Sequence, residues 1–432
     1  MAKFRFYTFA ALLAACQAAQ AQPGTAHAGQ MERLTRGVVV VPSQKGGNSN
    51  FVSWRLLGTD DENTTFDVVR DGNVIKSGIA DRTNYVDNGG FKTSKYQIIA
   101  KVGGTAVDTT EAVTPWDNVY TRIQLSRPAG GVTPDNVSYT YSPNDCSVGD
   151  ADGDGEYEIF VKWDPSNAKD NSHSGYTGNV YIDCYKLDGT KLWRVDLGKN
   201  IRAGAHYTQF LVYDFDKDGK AEMICKTAPG SKDSRGYYVS AAATDEKLKD
   251  EVSNRDDYRS SGGYILKGPE YLTVFSGETG HAVHTVYYNP NRQFGLGEVS
   301  DGMGNWGDTY GNRGDRYLAT VAYLDGPDRR PSAVMCRGYY SQAYLWAVGF
   351  DGKELKTKWL HGSVSDTKVE LTDASGKKTT KEYTENTHPD NSGSKTAYGN
   401  GNHNLSCVWQ LLFHWNRRIW HISGCWYWNP YY

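Results

Sequence analysis

The chain has 432 residues and a formal net charge of −3, with 47 basic and 50 acidic side chains. This near balance leaves no strongly basic surface for a nucleic-acid backbone, and the length allows two or three domains or one large repeat assembly. Aromatic residues make up 13% of the chain, and Gly occurs 47 times. Abundant glycine and aromatic residues are typical of an all-β protein, or of one that handles sugars.

The first 22 residues have the organisation of an export signal. Lys3 and Arg5 precede the apolar run FYTFAALLAA, and small residues follow it. The run is too short for a transmembrane helix, and no later segment is long and apolar enough to be one. Two cleavage sites compete: AQA before Gln22 suits ordinary signal peptidase, whereas Leu13 to Cys16 resembles a bacterial lipoprotein box. We expect an exported protein that is secreted, periplasmic or anchored by lipid at the outer surface.

Residues 31–115 have the size and rhythm of a small β-sandwich. Alternating apolar runs such as NFVSWRLL and YQIIAKV are separated by Asn, Asp and Gly turns. Trp54 is one of the alternating apolar positions and is predicted to anchor the core. The segment shows no catalytic constellation, so it is interpreted as a structural or docking module.

From residue 116 the chain becomes a loose repeat. An acidic loop that leads into a strand is followed by a hairpin with a glycine-containing turn, as in YKLDGTKLWRV, VFSGETGHAV and VGFDGKELKTKW. The first two copies are 64 residues apart, which suits a propeller blade of four short strands. A third copy, AYLDGPDRRPSAVMCRGYY, keeps the strands but loses the loop spacing. Cys184, Cys225 and Cys336 each lie in an apolar run and are predicted to be buried thiols rather than disulfides.

The acidic loops have the spacing D-x-D-x-D-G-x-x-E, in GDADGDGEYEIFVKWD and in YDFDKDGKAEMICK. Carboxylates at positions one, three and five can wrap one calcium ion, and glycine at position six allows the sharp turn. The closing acid comes at position nine, and a strand follows instead of a helix, so these loops are not EF-hands. The predicted calcium ligands, with a structural role by default, are Asp150, Asp152, Asp154, Glu158, Asp214, Asp216, Asp218 and Glu222.

Longer segments of the chain resemble the family 11 polysaccharide lyases, the rhamnogalacturonan lyases. The resemblance extends in order from Met31 to Ser406 and includes NIRAGAHYTQFLVYDFDKDGKAEMICKTA, GPEYLTVFSGETG, NWGDTYGNRGDRYLATVAYLDG, RPSAVMCRGYY and GNGNHNLS. It implies an all-β protein in which a fibronectin- or immunoglobulin-like sandwich precedes an eight-bladed calcium-binding propeller. In that family the propeller cleft cuts the rhamnose-(1→4)-galacturonate bond of rhamnogalacturonan I, in pectin, by calcium-assisted β-elimination.

The resemblance also suggests individual site residues. Asn144 and Asp164 fall at positions that resemble substrate-contacting residues of the cleft, and His403 falls where the family places a ligand of an active-site calcium. Without the resemblance, a turn asparagine, a strand-end aspartate and a capping histidine would be the simpler interpretations. Arg337, His206 and Lys226 lie in family-like segments and are weaker candidates for carboxylate binding or proton transfer.

The chain departs from the family pattern after Ser406. Residues 407–432 contain no Asp, Glu or Lys and a single Gly, yet hold five of the 12 Trp. This abrupt change predicts a truncated or frame-shifted end, so that residues 116–406 hold only the first three to four blades of a partial propeller. The alternative is a genuine aromatic strand pair. On the truncation hypothesis the lyase would be inactive or impaired.

Two other classes of function are compatible with the same loops. A non-catalytic propeller could bind pectin through calcium and aromatic side chains, and a structural or adhesive calcium-repeat protein could share the acidic spacing. The structural class would lack the polar segments RAGAHYTQF, WGDTYGNR and GNHN, which a blade does not need. In every case we expect a monomer that binds no nucleic acid.

Overall fold

The computed structural model describes residues 32–43, 48–249, 252–326, 328–339 and 342–362, and the backbone of two strands at 367–372 and 378–383. Within these residues the protein is built from antiparallel β-sheets, and its helices are two 3₁₀ turns, Val239–Ala242 and Ser253–Arg255. The all-β prediction is confirmed. No helix of the described part is long and apolar enough to span a bilayer. The predicted signal at 1–22, His403 and the tail at 407–432 lie outside the described residues.

Residues 38–119 form one compact unit. Its seven strands are β1 (Val39–Pro42), β2 (Asn50–Ser53), β3 (Thr65–Arg70), β4 (Asn73–Ile79), β5 (Asn84–Asp87), β6 (Tyr96–Val102) and β7 (Thr105–Thr109). They form two sheets, one with the order β1-β2-β5 and the other with the order β4-β3-β6-β7. Neither sheet is large, so each needs the other to bury its apolar face.

The two sheets of this unit share one hydrophobic core. Val40 and Val52 of the first sheet pack in the same cluster as Phe66 and Ile98 of the second. Trp54 is 4% exposed and meets the ring of Phe66 edge-on, with 5.5 Å between ring centroids. The prediction that Trp54 anchors this core is confirmed.

The second unit runs from residue 120 onward and includes the segment that ends at Gly37. After a short ribbon of β8 (Gly131–Val132) and β9 (Ser138–Tyr139) come three sheets of four strands each. The first sheet contains β10 (Tyr141–Gly149), β11 (Glu158–Pro165), β12 (Tyr181–Tyr185) and β13 (Lys191–Asp196). The second contains β14 (Phe210–Tyr213), β15 (Glu222–Thr227), β16 (Tyr271–Ser276) and β17 (Ala282–Tyr287). The third contains β18 (Tyr317–Ala322), β19 (Ser332–Arg337), β20 (Tyr344–Phe350) and β21 (Leu355–Gly362).

Each four-stranded sheet is a meander in which every strand pairs with the next one along the chain. The three hairpins predicted from glycine-containing turns are β12–β13, β16–β17 and β20–β21. The third copy keeps its strands although its loop has lost the acidic spacing. A further hairpin, β22 (Thr367–Thr372) with β23 (Lys378–Tyr383), follows the third sheet.

Apolar side chains cover both faces of the second sheet, which explains the unbroken apolar run in EMICK. Met223 and Cys225 join the cluster that includes Phe160 of the first sheet. Ile224 points the other way, into the cluster that includes Met335 of the third sheet. Because successive residues of a strand face opposite sides, a strand between two packed sheets needs no polar face. Cys184, Cys225 and Cys336 are buried and form no disulfide, as predicted.

The first strands of the three sheets are neighbours, since β10 contacts β14 and β14 contacts β18. Trp193 in β13 also links two sheets, because its indole nitrogen donates a hydrogen bond to the carbonyl of Gly277 at 2.6 Å. The sheets therefore follow one another face to face. In the first two sheets an acidic loop joins the first and second strands. The candidate catalytic and substrate-binding residues lie toward the opposite ends of the first and second strands.

Candidate functional site

The two acidic loops fold in the same way, 64 residues apart. Asp150 accepts hydrogen bonds from the amides of Gly153 at 2.7 Å and Gly155 at 2.9 Å. Glu158 closes the loop by accepting the amide of Ala151 at 2.7 Å. Gly155 has φ +89°, a left-handed conformation that a residue with a side chain adopts only under strain.

The second loop repeats each of these contacts. Asp214 accepts the amides of Lys217 at 2.7 Å and Gly219 at 2.9 Å, and Glu222 accepts the amide of Phe215 at 2.9 Å. Gly219 has φ +99°. Equal spacing in the sequence therefore produces equal backbone geometry, with the carboxylates turned toward the interior of the loop.

The carboxylates converge closely enough to share a cation. Ligand atoms of Asp150, Asp152 and Glu158 lie within 4.8 Å of one another, and so do those of Asp214, Asp216 and Asp218. An all-carboxylate oxygen set suits a hard divalent cation such as Ca²⁺. Six of the eight predicted loop ligands fall in these two groups; Asp154 and Glu222 are their immediate neighbours in the loops.

Without a bound cation, burial and mutual repulsion disfavour the ionised form of these carboxylates. Burial, together with the charges of Asp152 and Asp154, raises the pKa of Glu158 to about 7. Burial raises the pKa of Asp214 to about 6, and burial with the charge of Asp216 raises that of Glu222 to about 9. A bound cation would offset this penalty, so the residues present fit a calcium site.

The two loops differ in their nearest basic group. The Lys186 ammonium lies 2.6 Å from a carboxylate oxygen of Asp152, 2.9 Å from one of Asp154 and 4.0 Å from one of Glu158. Within the described residues no comparable ion pair reaches the carboxylates of the second loop. In the second loop the described cation nearest to this role is Arg330, which donates to the backbone carbonyl of Asp216 at 2.9 Å.

A β-bulge brings together the predicted substrate-binding residues. Pro143 pairs with Trp163 and Cys146 pairs with Val161, so Asn144 and Asp145 together face the single residue Lys162. Both bulge residues are exposed. The bulge places them on β10, an edge strand of the first sheet.

Lys162 and Asp164 lie beneath this bulge, as alternate residues on one face of β11. The Lys162 side chain is 1% exposed, and its ammonium lies 2.5 Å from Asp145, whose side chain is 61% exposed. One carboxylate oxygen of Asp164 is buried and has no hydrogen-bond partner among the residues that the structure describes. Burial raises the pKa of Asp164, while the charge of Lys162 opposes this effect.

His206 lies at the start of the second sheet beside residues from two other loops. Its Nε2 is 3.7 Å from Asp170, which follows β11, and Asp170 is 3.7 Å from Arg316, which precedes β18. The His206 side chain is 37% exposed. Burial and the nearby charge of Arg316 lower the pKa of His206, so the imidazole is neutral at pH 7 and able to accept a proton.

Arg337 and Lys226 belong instead to a buried charge cluster. Glu270 pairs with Arg337 at 2.7 Å, with Arg292 at 3.1 Å and with Lys226 at 3.2 Å. Asp315 pairs with Arg337 at 2.9 Å. The Arg337 side chain is 1% exposed, whereas Lys226, at 7%, lines a small cavity that Arg292 and Asp315 also line.

The structure thus sorts the sequence candidates into separate groups. Asn144 and Asp164 lie together at the β10 bulge, and we call the surface that they form with Asp145 the bulge patch. His206 lies in a partly exposed polar cluster. Arg337 and Lys226 both form ion pairs with Glu270. Sequence reasoning missed seven polar partners, namely Asp145, Lys162, Asp170, Glu270, Arg292, Asp315 and Arg316. The 64-residue repeat could have drawn attention to Lys162, since it occupies the same place in the first repeat as Lys226 in the second.

These features define a modular all-β protein whose repeated four-stranded sheets carry acidic, metal-type loops at one end and clustered polar side chains at the other. Residues 120–381 match the C-terminal domain of rhamnogalacturonan lyase family 11, and residues 29–116 match the β-sheet domain of rhamnogalacturonan I lyases. The chain belongs to rhamnogalacturonan lyase family 11.

Individual relatives agree with this assignment. The rhamnogalacturonan exolyase YesX of Bacillus subtilis (strain 168) is 52% identical over 335 residues, which are 77% of this chain and 51% of the relative. The rhamnogalacturonan endolyase YesW of the same organism is 48% identical over 377 residues, 87% of this chain and 53% of the relative. The solved structure of the Bacillus licheniformis rhamnogalacturonan lyase PL11 is similar with a TM-score of 0.68 at 52% identity, over 78% of this chain and 53% of that one. The chain therefore spans about half the length of the relatives it matches.

Proposed function

We propose that the protein is a rhamnogalacturonan lyase that cleaves the rhamnose-(1→4)-galacturonate bond of rhamnogalacturonan I in pectin by β-elimination. The observation that carries this proposal is the continuous family match over residues 120–381 together with about 50% identity to proteins named as lyases of this polysaccharide. The acidic loops and the polar side chains at the opposite ends of the first strands support it.

β-Elimination at a galacturonate needs a base and a neutralising charge. Removing the C5 proton places negative charge on the adjacent carboxylate. The C4–O4 bond then breaks, the rhamnosyl group leaves with O4 and takes up a proton, and a C4–C5 double bond forms in the uronate. His206 is our candidate base because it is accessible and neutral. Arg316, its cationic neighbour, is placed better to meet a substrate carboxylate than Arg337, whose side chain is 1% exposed and held by Glu270. Lys226 remains a weaker candidate at the cavity.

We propose that the carboxylates of the two acidic loops hold structural Ca²⁺ and that Asn144 and Asp164 contact the sugar chain. Bound calcium would neutralise the acidic loops, and an active-site ion held by His403 would help to neutralise the uronate carboxylate. His403 lies outside the described residues, so its part comes from the family resemblance alone. Asn144 is exposed on the bulge and can reach a ligand without rearrangement.

The finer architecture is also part of the proposal. We propose that residues 31–115 are a fibronectin- or immunoglobulin-like sandwich and that residues 116–406 are part of a calcium-binding propeller. Two shared cores in the first three sheets, and direct contact between their first strands, support this arrangement. We further propose that the protein is exported as a monomer and that residues 1–22 are its signal.

A lyase assay tests the function directly. The full chain is incubated with rhamnogalacturonan I and, in parallel, with polygalacturonate, and the unsaturated product is followed in the ultraviolet with calcium and with chelator. Calcium-dependent product from rhamnogalacturonan I alone is the result that the proposal predicts, whereas the truncation hypothesis predicts a reduced or absent product. Binding of the polysaccharide without product would favour the non-catalytic alternative, and neither binding nor product would contradict the substrate assignment.

A further inference from the structure

Lys162 is unusual because a fully buried lysine is paired with an exposed acid. Its side chain is 1% exposed, whereas that of its partner Asp145 is 61% exposed. Burying an ammonium is costly unless it is well paired, and a lysine used only for folding would be expected to have a buried partner. The ammonium is instead directed toward the surface of the bulge patch.

The repeat itself offers an internal comparison. Lys226 occupies the same place 64 residues later, and its partner Glu270 is buried with a side chain 1% exposed. The positions that correspond to Asp145 and Asp164 in that repeat are Gln209 and Ala228. The second repeat therefore keeps the lysine but lacks both carboxylates, so the pairing seen at Lys162 is not a requirement of the repeat.

Asp164 supplies the second observation. A carboxylate oxygen that is buried without a donor is costly, and a hydroxyl group of a bound sugar would satisfy it. The charged groups that act on Asp164 are Lys162 from its own strand and Asp145 from β10. Lys162, Asp145 and Asp164 together carry a net charge of −1. Without the lysine, the two carboxylates alone would carry −2 and repel a uronate.

We propose that Lys162 is a positioning residue of the carbohydrate-binding patch formed by Asn144, Asp145 and Asp164, where it holds Asp145 and compensates the two carboxylates so that an acidic sugar can bind. This inference rests on the proposed function for its ligand, an oligosaccharide that contains uronate. The role of Lys162 within the patch rests on the geometry alone.

Binding measurements on the full chain test the role in recognition. The variants are Lys162→Met, Lys162→Arg and, as a matched control on the same sheet, Lys191→Met, which replaces an exposed lysine of β13. The probes are a rhamnogalacturonan I oligosaccharide and the same oligosaccharide with its carboxyl groups reduced to alcohols. Titration calorimetry gives the dissociation constants.

We expect Lys162→Met to weaken binding of the acidic oligosaccharide by about tenfold or more and binding of the reduced one by less than about threefold, because one charge in a partly desolvated site has this effect. Lys162→Arg should restore most of the affinity, and Lys191→Met should leave it unchanged. Unchanged affinity in Lys162→Met, or equal loss for both probes, would overturn the proposal, since equal loss is the signature of a purely structural residue.

A second measurement needs no ligand. The carboxyl ¹³C resonance of Asp164, assigned by its loss in Asp164→Asn, reports the ionisation of that side chain. We expect Lys162→Met to raise the pKa of Asp164 and Asp145→Asn, which retains the lysine, to lower it. Asp145→Asn keeps the test decisive even where Lys162→Met does not fold. If neither variant changed the pKa of Asp164, the proposal would be overturned. No sugar binding by the wild-type protein, with these pKa changes intact, would count against the proposed substrate and not against the role of Lys162.

Discussion

Replacing Glu222 with glutamine should have opposite effects on stability with and without calcium. Glu222 is 6% exposed, and burial together with the charges of Asp216 and Asp214 raises its pKa from 4.5 to about 9. Between these two values the folded protein binds a proton that the unfolded chain does not, so stability without a cation falls as the pH rises through this range. At pH 7 this proton uptake lowers the free energy of unfolding by about 3 kcal/mol, since each pH unit above 4.5 lowers it by about 1.4 kcal/mol.

Glutamine has no proton to take up, so Glu222→Gln removes this cost. In chelator at pH 7 we expect the variant to be more stable than the wild type by up to about 3 kcal/mol, with a flatter dependence on pH. With calcium the sign should reverse, because the variant loses an anionic group beside Asp214. A ligand present at a hundred times its dissociation constant stabilises a protein by about 2.7 kcal/mol, and much of this contribution should be lost.

Urea unfolding at several pH values, with chelator and with excess calcium, measures both effects. Glu246→Gln is the control because Glu246 is an exposed partner of Lys249 away from both acidic loops, and it should change stability little in either condition. Loss of stability in Glu222→Gln under both conditions would refute the reasoning. Such a result would mean that the carboxylate is needed for its hydrogen bond to Phe215 and not to hold a cation.

Three further outcomes follow from the packing and the polar clusters. Glu270→Gln leaves Arg337 and its cationic neighbours undercompensated, so urea unfolding should show a loss of about 3–5 kcal/mol, and a loss below 1 kcal/mol would contradict the buried cluster. Trp54→Ala removes the central ring of the first unit and should cost about 3–5 kcal/mol, measured by unfolding of residues 38–119 as a separate fragment or by proteolysis of the full chain. His206→Gln should abolish lyase product without lowering the melting temperature, and the wild-type rate should fall only below pH 6.5, because the pKa of His206 is lowered. A rate that falls above pH 6.5 would assign the base elsewhere.

The acidic loops were predictable from sequence because their chemistry is local. The spacing of aspartates, the glycine at position six and the closing glutamate all act within nine residues, and hydrogen bonds from nearby amides fix the result. The hairpins were predictable for the same reason, since turn geometry depends on a few adjacent residues. Trp54 was predictable because the alternation of buried and more exposed residues in β2 continues one residue past the end of that strand.

The polar clusters were not predictable because they join distant parts of the chain. Glu270 and Arg337 are 67 residues apart in sequence, and their pairing depends on which faces of β19 and the second sheet meet. Asp170, His206 and Arg316 come from three loops that the sheet order brings to one place. The bulge at Asn144 also escaped notice, since an extra residue in a strand has no strong local signature.

The two repeat-equivalent lysines, Lys162 and Lys226, differ in the exposure of their acidic partners. Each lysine lies on the second strand of its sheet and faces the next sheet. Both repeats place a long side chain with a charged end at this position. In the second repeat the buried Glu270 neutralises Lys226, and Arg292 and Arg337 complete a cluster that ties two sheets together. In the first repeat the acids lie on the bulge and at the strand end instead, so the same lysine is turned toward a surface that a ligand can reach. We therefore infer that Asp145 and Asp164, which Gln209 and Ala228 replace in the second repeat, distinguish the proposed binding patch from the packing position at Lys226.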